Sequence, residues 1–581
     1  MPYLKEQLNS ALLAAVRHSS VAGDGAAITA DRATFGPTKN PAHGDLATNA
    51  AMLVAKPLGR NPIEVAEALA ARLRSNPLIE NAEVAKPGFV NIRLSTHAYA
   101  TILQEIATGA ATYGNAAPNS VGSILLEFVS ANPTGPMHIG HCRHAASGDS
   151  LCRILQAAGH KVAKEFYIND AGVQLEALGR SFRLRCHEAV GLVQPGDVKD
   201  DGEQITYQGE AISYPGDYLK EFAEDFVANK CKEEIGGLTH AQFAWEARNR
   251  NLAQIVQDLA AMGVAFDNYV SEQALRESGA VDRALDALHK NGMTYEKDGA
   301  LWLKTQAFGD NEDRVLRKQD GSLTYMVPDI AYHYDKYQRH FDRYINIFGA
   351  DHGGYPPRLR AGIAGVGEDE KKLTVLLLRL VFLIKNGKRV KFSKRAGNFV
   401  ALADVVEEAG ADATRWFMLC RSIDSEFEFD MDLATQHSSH NPVFKVQYAH
   451  ARICSLTQKG LEQHILPSTD ANAAAALLTA PIEREMILYL AQFPEMIERS
   501  AKELSVHNVP AYVLGLADLW NRYWTMAKSD PSFRVINPDN KALSEARMLL
   551  ANSVRQTISN GLTLMGITSP QRMTREEEEE S

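Results

Sequence analysis

The segment Ser130-Ala-Asn-Pro-Thr-Gly-Pro-Met-His-Ile-Gly-His141 decides the fold of this chain, because it joins an apolar run to a helical pattern. Upstream, residues 124–129 are apolar at all positions but one, as expected of a buried parallel strand. Downstream, Leu151 and Ile154 recur at helical spacing, and Gly159 stands where a helix would end. The order strand, loop, helix predicts an α/β domain whose loop lies at the carboxyl edge of the sheet.

The loop has the chemistry of a phosphate site. Backbone N–H groups at the start of a helix point at a bound anion, and Gly135 and Gly140 leave room for a phosphate chain. His138 and His141 can donate hydrogen bonds to phosphate oxygens whose charge grows in a transition state. For an isolated H-x-G-H, a pair of surface histidines in a Pro/Gly-rich turn would be the better interpretation.

A second element, Lys391-Phe-Ser-Lys-Arg395, favours the phosphate interpretation. Two lysines three residues apart, followed by Gly397-Asn398, suit a mobile lid that neutralises a triphosphate during attack at its α-phosphorus. Alone, such a cluster is usually a solvated face. In this order, the two elements resemble the HIGH and KMSKS signatures of class I aminoacyl-tRNA synthetases. Phe392 departs from the second signature, which has methionine there, so we expect a difference in loop packing and not in chemistry.

The resemblance narrows to arginyl-tRNA synthetases of the bacterial type, through five stretches that span nearly the whole chain. Such extended matches in the right order are more specific than either short signature. The stretches are residues 41–52 with 86–94, residues 126–136, residues 167–172, residues 324–333 with 349–352, and residues 446–452 with the closing 565–567 and 570–573.

The resemblance implies a multidomain fold. Its centre is an α/β Rossmann-like class I synthetase catalytic domain, flanked by an N-terminal α+β extra domain and a C-terminal all-α anticodon-binding helix bundle. We expect an N-terminal tRNA-elbow-binding domain at 1–110 and a catalytic domain at 111–365, with an insertion near 190–240. The KMSKS-like loop and a connecting region follow at 366–435, the helical anticodon-binding domain at 436–573, and an acidic tail without an inferred role at 574–581.

Composition agrees with a large enzyme and decides little else. The chain has 581 residues, is 45% hydrophobic, and shows no window that resembles a signal peptide or a membrane span, so a cytoplasmic location is the expectation. Its six cysteines form no CxxC pair, which argues against a disulfide framework or a zinc ribbon. The net charge of −10 excludes only a uniformly basic surface, because RNA contacts need local basic clusters. We expect a monomer.

Three residues suggest a pocket for a guanidinium group, which carboxylates and phenolic oxygens recognise best. Glu127 is a carboxylate in an otherwise apolar strand, which is costly unless a cation or a hydrogen-bond partner is present. Tyr325 and Asp329 lie four apart at the start of a helical pattern and would share a face. For each residue alone, a structural salt bridge or a capping role is at least as plausible. The resemblance implies arginine-binding roles for these three and for Ser130, Asn132 and His352.

The resemblance also implies the reaction. The arginine carboxylate attacks the α-phosphorus of Mg–ATP, and the arginyl group then passes to the terminal adenosine of tRNA(Arg). His138, His141, Lys391 and Lys394 would be the catalytic residues, acting by position and charge without a covalent intermediate. We expect no protein-bound metal, and activation only when tRNA is bound. The full ATP-binding set implied is Pro133, Thr134, Gly135, Pro136, His138, Gly140, His141, Gly349, Asp351, Lys391, Ser393 and Lys394.

Predicted RNA contacts lie in both flanking domains. Phe89 and Asn91 match positions that read the tRNA elbow in the resembled family, although a core role for Phe89 is equally plausible. In the C-terminal helices the predicted contacts are Tyr448, Trp520, Asn521, Trp524 and Met573, of which Tyr448 has the strongest support.

Two alternatives from other classes remain. A nucleotidyltransferase of the same superfamily would use the two histidines without tRNA, but it would need neither flanking domain. A non-catalytic tRNA-binding paralogue would not need His138, His141, Lys391 and Lys394 intact.

Overall fold

The computed structural model describes residues 3–19, 32–38, 40–202, 204–390 and 400–574. The N-terminal part combines four helices with a four-stranded antiparallel sheet of order β1-β2-β4-β3. Asn61 and Ser95 start two of these helices by accepting hydrogen bonds from Ile63 N and Ala98 N. The elements are α1 (Leu4–Ser19), β1 (Gly36–Pro37), β2 (Leu46–Thr48), α2 (Ala50–Leu58), α3 (Pro62–Leu73), β3 (Ile79–Ala85), β4 (Phe89–Leu94) and α4 (Thr96–Gly109).

The central part begins with a strand, a long helix and a second strand. A block of helices and a small antiparallel sheet follows, with apolar cores of its own, before the chain returns to the central sheet. The elements are β5 (Gly122–Glu127), α5 (Ile139–Ala157), β6 (His160–Ile168), α6 (Val173–Ala189), β7 (Val198–Asp200), β8 (Ile205–Tyr207), β9 (Glu210–Ile212), α7 (Tyr218–Val227), α8 (Lys232–Gly236) and α9 (His240–Ala261).

The chain then completes a five-stranded parallel sheet of order β10-β6-β5-β14-β15, with a separate antiparallel sheet, β11-β12-β13, between its later strands. The elements are β10 (Asn268–Ser271), α10 (Glu272–Glu277), α11 (Ala280–Lys290), β11 (Thr294–Lys297), β12 (Ala300–Leu303), β13 (Arg314–Arg317), α12 (Met326–Tyr337), β14 (Arg343–Gly349), α13 (Pro356–Gly365) and β15 (Leu373–Leu378).

The strand order reverses at β5. The chain runs from β5 outward to β6 and β10, and then returns to the other side of β5 with β14. In a parallel α/β sheet, the crevice at the carboxyl ends of the strands at such a switch point is where ligands bind. The loop after β5 carries His138, and the turn after β14 carries Asp351, so this topology brings the two predicted ATP-binding segments to one edge.

Close packing of α5 on the sheet depends on a glycine. A Cβ at Gly148 would lie 2.1 Å from Cδ2 of Phe128, so a larger residue there would push the helix off the chain that leaves β5. Arg143 of the same helix donates from Nη1 to the carbonyl oxygens of Arg379 and Ser425, each at 2.8 Å. Helix α5 is therefore held in place by packing against Phe128 on one side and by the hydrogen bonds of Arg143 on another.

The rest of the chain is a connecting region and a helical domain. The connecting elements are β16 (Val381–Lys385), β17 (Lys388–Arg389), α14 (Leu402–Ala409), α15 (Ala411–Leu419), β18 (Phe427–Asp430) and α16 (Met431–Ala434). The domain consists of α17 (Pro442–Glu462), α18 (Ala471–Leu477), α19 (Pro481–Leu490), α20 (Phe493–Glu503), α21 (Asn508–Ser529) and α22 (Lys541–Met565). The predicted fold class is confirmed, with the parallel sheet between an α+β part and a helical part.

Candidate active site and RNA-binding cleft

The two histidines form the N-terminal cap of α5. His138 precedes the helix, and its Nδ1 accepts from Gly140 N at 3.1 Å, while Nδ1 of His141 accepts from His138 N at 3.1 Å. The rings stack with centroids 3.9 Å apart. Because Nδ1 is the acceptor in each neutral imidazole, the proton sits on Nε2, which leaves Nε2–H as a donor in both rings. An N–H donor of this kind suits a phosphate oxygen, which is a hydrogen-bond acceptor.

The glycine-rich loop before α5 is supported by the inserted block. Tyr218, at the start of α7, donates its hydroxyl to the carbonyl oxygen of Thr134 at 2.8 Å. A Cβ at Gly135 would come within 3.3 Å of that hydroxyl, so the loop and the tyrosine pack tightly. Tyr218 could not be predicted from the sequence, because the contact joins residues 84 positions apart.

Lys391, Ser393 and Lys394 lie outside the described residues. The nearest described residues after this segment adjoin the histidine turn: Ala401 forms an antiparallel bridge with His138, and Leu402 N donates to Met137 O at 2.8 Å. The chain that leaves the lysine-rich segment therefore reaches the first signature directly.

The turn after β14 is the second side of the crevice. Gly349 ends the strand, and a Cβ there would lie 2.4 Å from Oδ1 of Asp351, so glycine lets the aspartate fold back over the turn. Asp351 and His352 are both well exposed, with 3.6 Å between carboxylate and Nε2. Their exposure leaves them open to a ligand at the carboxyl edge.

Three polar side chains lie in register near the middle of the sheet. Glu127 of β5 pairs in the backbone ladder with Glu165 of β6 on one side and with Asn346 of β14 on the other. All three are buried. Helix α12 supplies the cations, since Lys336 pairs with Glu127 and Arg339 pairs with Glu165. Burial would raise the pKa of Glu165, but hydrogen bonds from Arg339 and Asn268 together with the charges of Lys336 and Arg339 outweigh it and lower the pKa to about 2.

Glu127 thus already has an internal cation. Lys336 is 1% exposed, and its Nζ also donates to Oδ1 of Asn346 at 3.1 Å. The other oxygen of Glu127 accepts from Ser130 Oγ at 3.0 Å. The sequence analysis missed Lys336, although a lysine seven residues after Asp329 in a helix rich in apolar and aromatic residues was a usable signal.

Asp329 has a different environment. Tyr355 donates its hydroxyl to the carboxylate, and no lysine or arginine within the described ranges lies at ion-pair distance from it. Burial raises the pKa of Asp329 to about 7, and the carboxylates of Glu127 and Glu272 add to the rise. Such a carboxylate is poised to accept a cation from outside the protein.

Aromatic and acidic groups surround Asp329. Tyr325 is 64% exposed, and its hydroxyl accepts from Nη1 of Arg358 at 3.3 Å. Tyr167 is buried, and burial together with the carboxylates of Asp329 and Glu272 raises the pKa of its phenol. Glu272, at the start of α10, is fixed by Arg276 at 2.6 Å. The sequence analysis did not select Tyr167 or Glu272, because neither stands out without its neighbours.

Two predicted arginine contacts, Asn132 and Ser130, lie in the loop after β5. The side-chain amide of Asn132 donates to Oε1 of Gln174 at 2.7 Å. Ser130 is held at φ +41° and Val129 at φ +67°, a left-handed pair that non-glycine residues rarely adopt. The strained backbone turns the Ser130 hydroxyl so that it donates to Glu127 and accepts from Tyr167 N at 3.1 Å.

A separate cleft of about 510 Å³ opens in the helical domain. Three predicted RNA contacts, Tyr448, Trp524 and Met573, line it. Arg452 stands between the aromatic rings, with its guanidinium carbon 4.7 Å from the centre of Tyr448 and 5.1 Å from that of Trp524. The rim carries the exposed basic side chains Lys459, Lys528 and Arg534.

The other two predicted RNA contacts in this domain, Trp520 and Asn521, do not line the cleft. Trp520 is fully buried, so its indole packs in the domain core and offers no surface to RNA, and the prediction for it does not fit this structure. Asn521 instead accepts from Nη1 of Arg452 at 3.2 Å and helps to position that guanidinium. In the N-terminal sheet, Phe89 is 38% exposed and Asn91 is half-buried on the same strand.

Family models match three successive parts of the chain. Residues 3–94 match the arginyl tRNA synthetase N-terminal domain, residues 103–421 the catalytic domain of class I tRNA synthetases (R), and residues 446–573 the DALR anticodon-binding domain. Arginine–tRNA ligase 1 of Halalkalibacterium halodurans is 39% identical over 99% of this chain and 100% of its own length. The chain belongs to the arginyl-tRNA synthetase family.

Solved structures agree with this membership. A putative arginyl-tRNA synthetase from Campylobacter jejuni superposes with a TM-score of 0.73 at 30% identity, covering 83% of this chain and 100% of that one. Arginyl-tRNA synthetase of Thermus thermophilus gives a TM-score of 0.73 at 23% identity, covering 98% and 100%, and so shows the shared fold. Class I synthetases use ATP, which fits the histidine turn at the switch point.

Two features are absent from the part of the chain that the structure describes. No helix there is long and apolar enough to cross a membrane. No group of three or more His, Cys, Asp or Glu side chains in those residues is arranged to hold a metal ion.

Proposed function

We propose that this enzyme activates L-arginine with Mg–ATP and transfers the arginyl group to the terminal adenosine of tRNA(Arg). The observation that supports this most is Asp329, an enclosed carboxylate that lacks a lysine or arginine partner in the described chain and lies among further acidic and phenolic groups. A guanidinium is the cation whose planar set of donors such a pocket satisfies.

Arginine would lie with its guanidinium at Asp329 and Tyr325. Glu127, although paired with Lys336, adds negative potential at the inner end of the pocket. A neutral isostere such as citrulline would leave Asp329 buried without a cation, and this penalty supports specificity without an editing site. Ser130, Asn132 and His352 would hold the α-amino end.

The first reaction would be an in-line displacement at the α-phosphorus. A carboxylate oxygen of arginine forms a bond to phosphorus, and the bond to the pyrophosphate oxygen breaks, giving arginyl-adenylate and pyrophosphate. His138 and His141 would donate from Nε2 to phosphate oxygens as charge develops. In the second reaction, a ribose hydroxyl of the tRNA terminus attacks the carbonyl carbon, and AMP leaves.

The remaining ATP contacts follow the crevice. The loop of residues 133–136 and Gly140 would lie along the phosphates, and Gly349 and Asp351 would contact the ribose. Lys391, Ser393 and Lys394 would close over the triphosphate, a role supported by the sequence and by the bridge from Ala401 to His138. Magnesium would arrive bound to the phosphate oxygens of ATP, which are hard ligands of the kind it prefers.

The tRNA would be held at both ends of the chain. Its anticodon arm would enter the cleft of Tyr448, Trp524 and Met573, where bases can stack on aromatic rings and the basic rim meets phosphate. Phe89 and Asn91 of the N-terminal domain would contact the elbow. The enzyme would act as a monomer in the cytoplasm, with the domain limits predicted from the sequence.

The test is aminoacylation of tRNA(Arg) with each of the twenty amino acids. Arginine alone should be esterified, and ATP–pyrophosphate exchange should stay near background until tRNA(Arg) is added. Charging with a different amino acid would refute the assignment of the pocket. Strong exchange with arginine in the absence of RNA would refute only the requirement for tRNA.

A further inference from the structure

Asp412 is bonded to two segments that each contribute residues to the lining of the cleft in the helical domain. It lies in the first turn of α15, and its carboxylate accepts from the Thr568 hydroxyl, from Thr568 N at 3.0 Å and from Nε2 of Gln447 at 2.7 Å. Gln447 precedes Tyr448 on α17, and Thr568 lies five residues before Met573. One carboxylate therefore ties together two segments that line the cleft.

The middle of α15 is joined to the helix of the histidine turn. Arg415 is fully buried, and its Nη2 donates to Oδ2 of Asp149 on α5 at 2.7 Å. Its Nε donates to the carbonyl oxygen of Met565, the last residue of α22, at 2.6 Å. Helix α15 is thus bonded to the cleft at its first turn and to α5 one turn later.

The contact at Arg415 leaves little room for independent movement. A Cβ at Gly566 would lie 2.3 Å from Nη2 of Arg415, so the turn after α22 packs flat on the guanidinium. On α5, the hydroxyl of Ser150 donates to Leu564 O at 3.0 Å. The final carbonyls of α22, which no intrahelical N–H can satisfy, are in this way capped by side chains from α15 and α5.

Helix α5 carries this connection to the active site. Asp149 lies eight residues after His141, which corresponds to about 12 Å along a rigid helix. The contacts of Asp412, helix α15 and the Arg415–Asp149 pair therefore form a continuous connection from the cleft to the helix that positions both histidines.

We propose that Asp412 is a positioning residue that couples occupancy of the cleft by tRNA to the placement of His138 and His141. The inference rests on the proposed function, because it takes the cleft as the anticodon site. Asp412 does not serve as an RNA ligand in this scheme, since a carboxylate repels phosphate and its oxygens are engaged by Thr568 and Gln447.

The experiment is a double-mutant cycle of Asp412→Asn and Trp524→Ala, measured on the full chain. Asparagine keeps the size of the Asp412 side chain but removes the negative charge that accepts hydrogen bonds from both Gln447 and Thr568. At saturating tRNA(Arg), Asp412→Asn should lower the rate of arginine-dependent ATP–pyrophosphate exchange at least about fivefold, with the dissociation constant of tRNA changed less than threefold. Trp524→Ala should weaken tRNA binding and also lower the saturated rate.

Coupling predicts that the two rate losses do not multiply in the double variant, because both interrupt the same connection. Multiplied losses, or no loss from Asp412→Asn, would overturn the proposal. Glu485→Gln is the matched control, since it breaks an exposed ion pair with Arg522 in the same domain and should leave the rate unchanged. If Asp412→Asn unfolds, Thr568→Val removes one donor to the same carboxylate and should give a smaller loss of the same kind.

The outcomes separate this proposal from the proposed function. If Trp524→Ala weakens tRNA binding but the losses multiply, the cleft stands as the tRNA site and the coupling role of Asp412 fails. If Trp524→Ala changes neither tRNA binding nor charging, the assignment of the cleft fails, and the coupling proposal falls with it.

Discussion

Replacing Asp329 with asparagine tests the arginine pocket most directly. Asparagine preserves the size and an acceptor oxygen for the Tyr355 hydroxyl, but it removes the charge. A charge-assisted hydrogen bond contributes about 1.5–3 kcal/mol, and about 1.4 kcal/mol corresponds to a factor of ten. The KM for arginine should therefore rise about 10- to 150-fold in steady-state aminoacylation, while the KM for ATP stays within about threefold.

The raised pKa of Asp329 adds a second signature. Free Asp329 has a pKa of about 7, so lowering the pH below 7 protonates it and removes the partner of the guanidinium. Because arginine itself stays charged, wild-type kcat/KM for arginine should fall about tenfold per pH unit below 7 and level off above it. The asparagine variant should lack this dependence.

Stability provides the control. The pKa of Asp329 is raised relative to an unfolded chain, so its protonated form favours folding, and that contribution is lost as pH rises through about 7. At pH 8 the asparagine variant should therefore melt at a temperature no lower than wild type. If the KM values for arginine and ATP rise together, or if neither changes, Asp329 is structural, and Glu127→Gln then decides whether the substrate is correctly assigned.

Further substitutions test the histidine turn, the buried ion pair and the cleft. His138→Ala or His141→Ala should each slow adenylate formation on the order of a hundredfold, with little change in tRNA affinity, and unchanged exchange in both would contradict their phosphate role. Lys336→Met should destabilise the protein by about 3–5 kcal/mol in denaturant unfolding, because it leaves buried Glu127 unpaired, and the added change Glu127→Gln should restore most of that loss. Trp524→Phe should keep tRNA affinity within a few fold whereas Trp524→Ala weakens it at least about fivefold by filter binding, and equal losses would argue against stacking in the cleft.

Local patterns in the sequence were enough to predict the central α/β unit, and the resemblance to a family supplied the flanking domains. The apolar run before Ser130 and the helical spacing after His141 predicted strand, loop and helix, and the structure has β5, the loop and α5 in that order. The spacing of apolar residues and the positions of glycines involve only residues that are close in the chain. They can therefore be read from a single sequence. The helical character of the C-terminal part was implied by the resemblance to the family and is present in the structure.

The environment of each candidate residue was decided only by the tertiary structure. Glu127 and Asp329 look alike in the sequence as carboxylates in apolar surroundings, yet Lys336 pairs with Glu127, whereas Asp329 accepts from the Tyr355 hydroxyl and has no lysine or arginine partner among the described residues. Trp520 and Trp524 lie one helical turn apart, yet the first is buried and the second lines the cleft. Burial and ion pairing depend on contacts between residues that are far apart in the chain. The local spacing of residues does not indicate which distant side chain will contact a given residue.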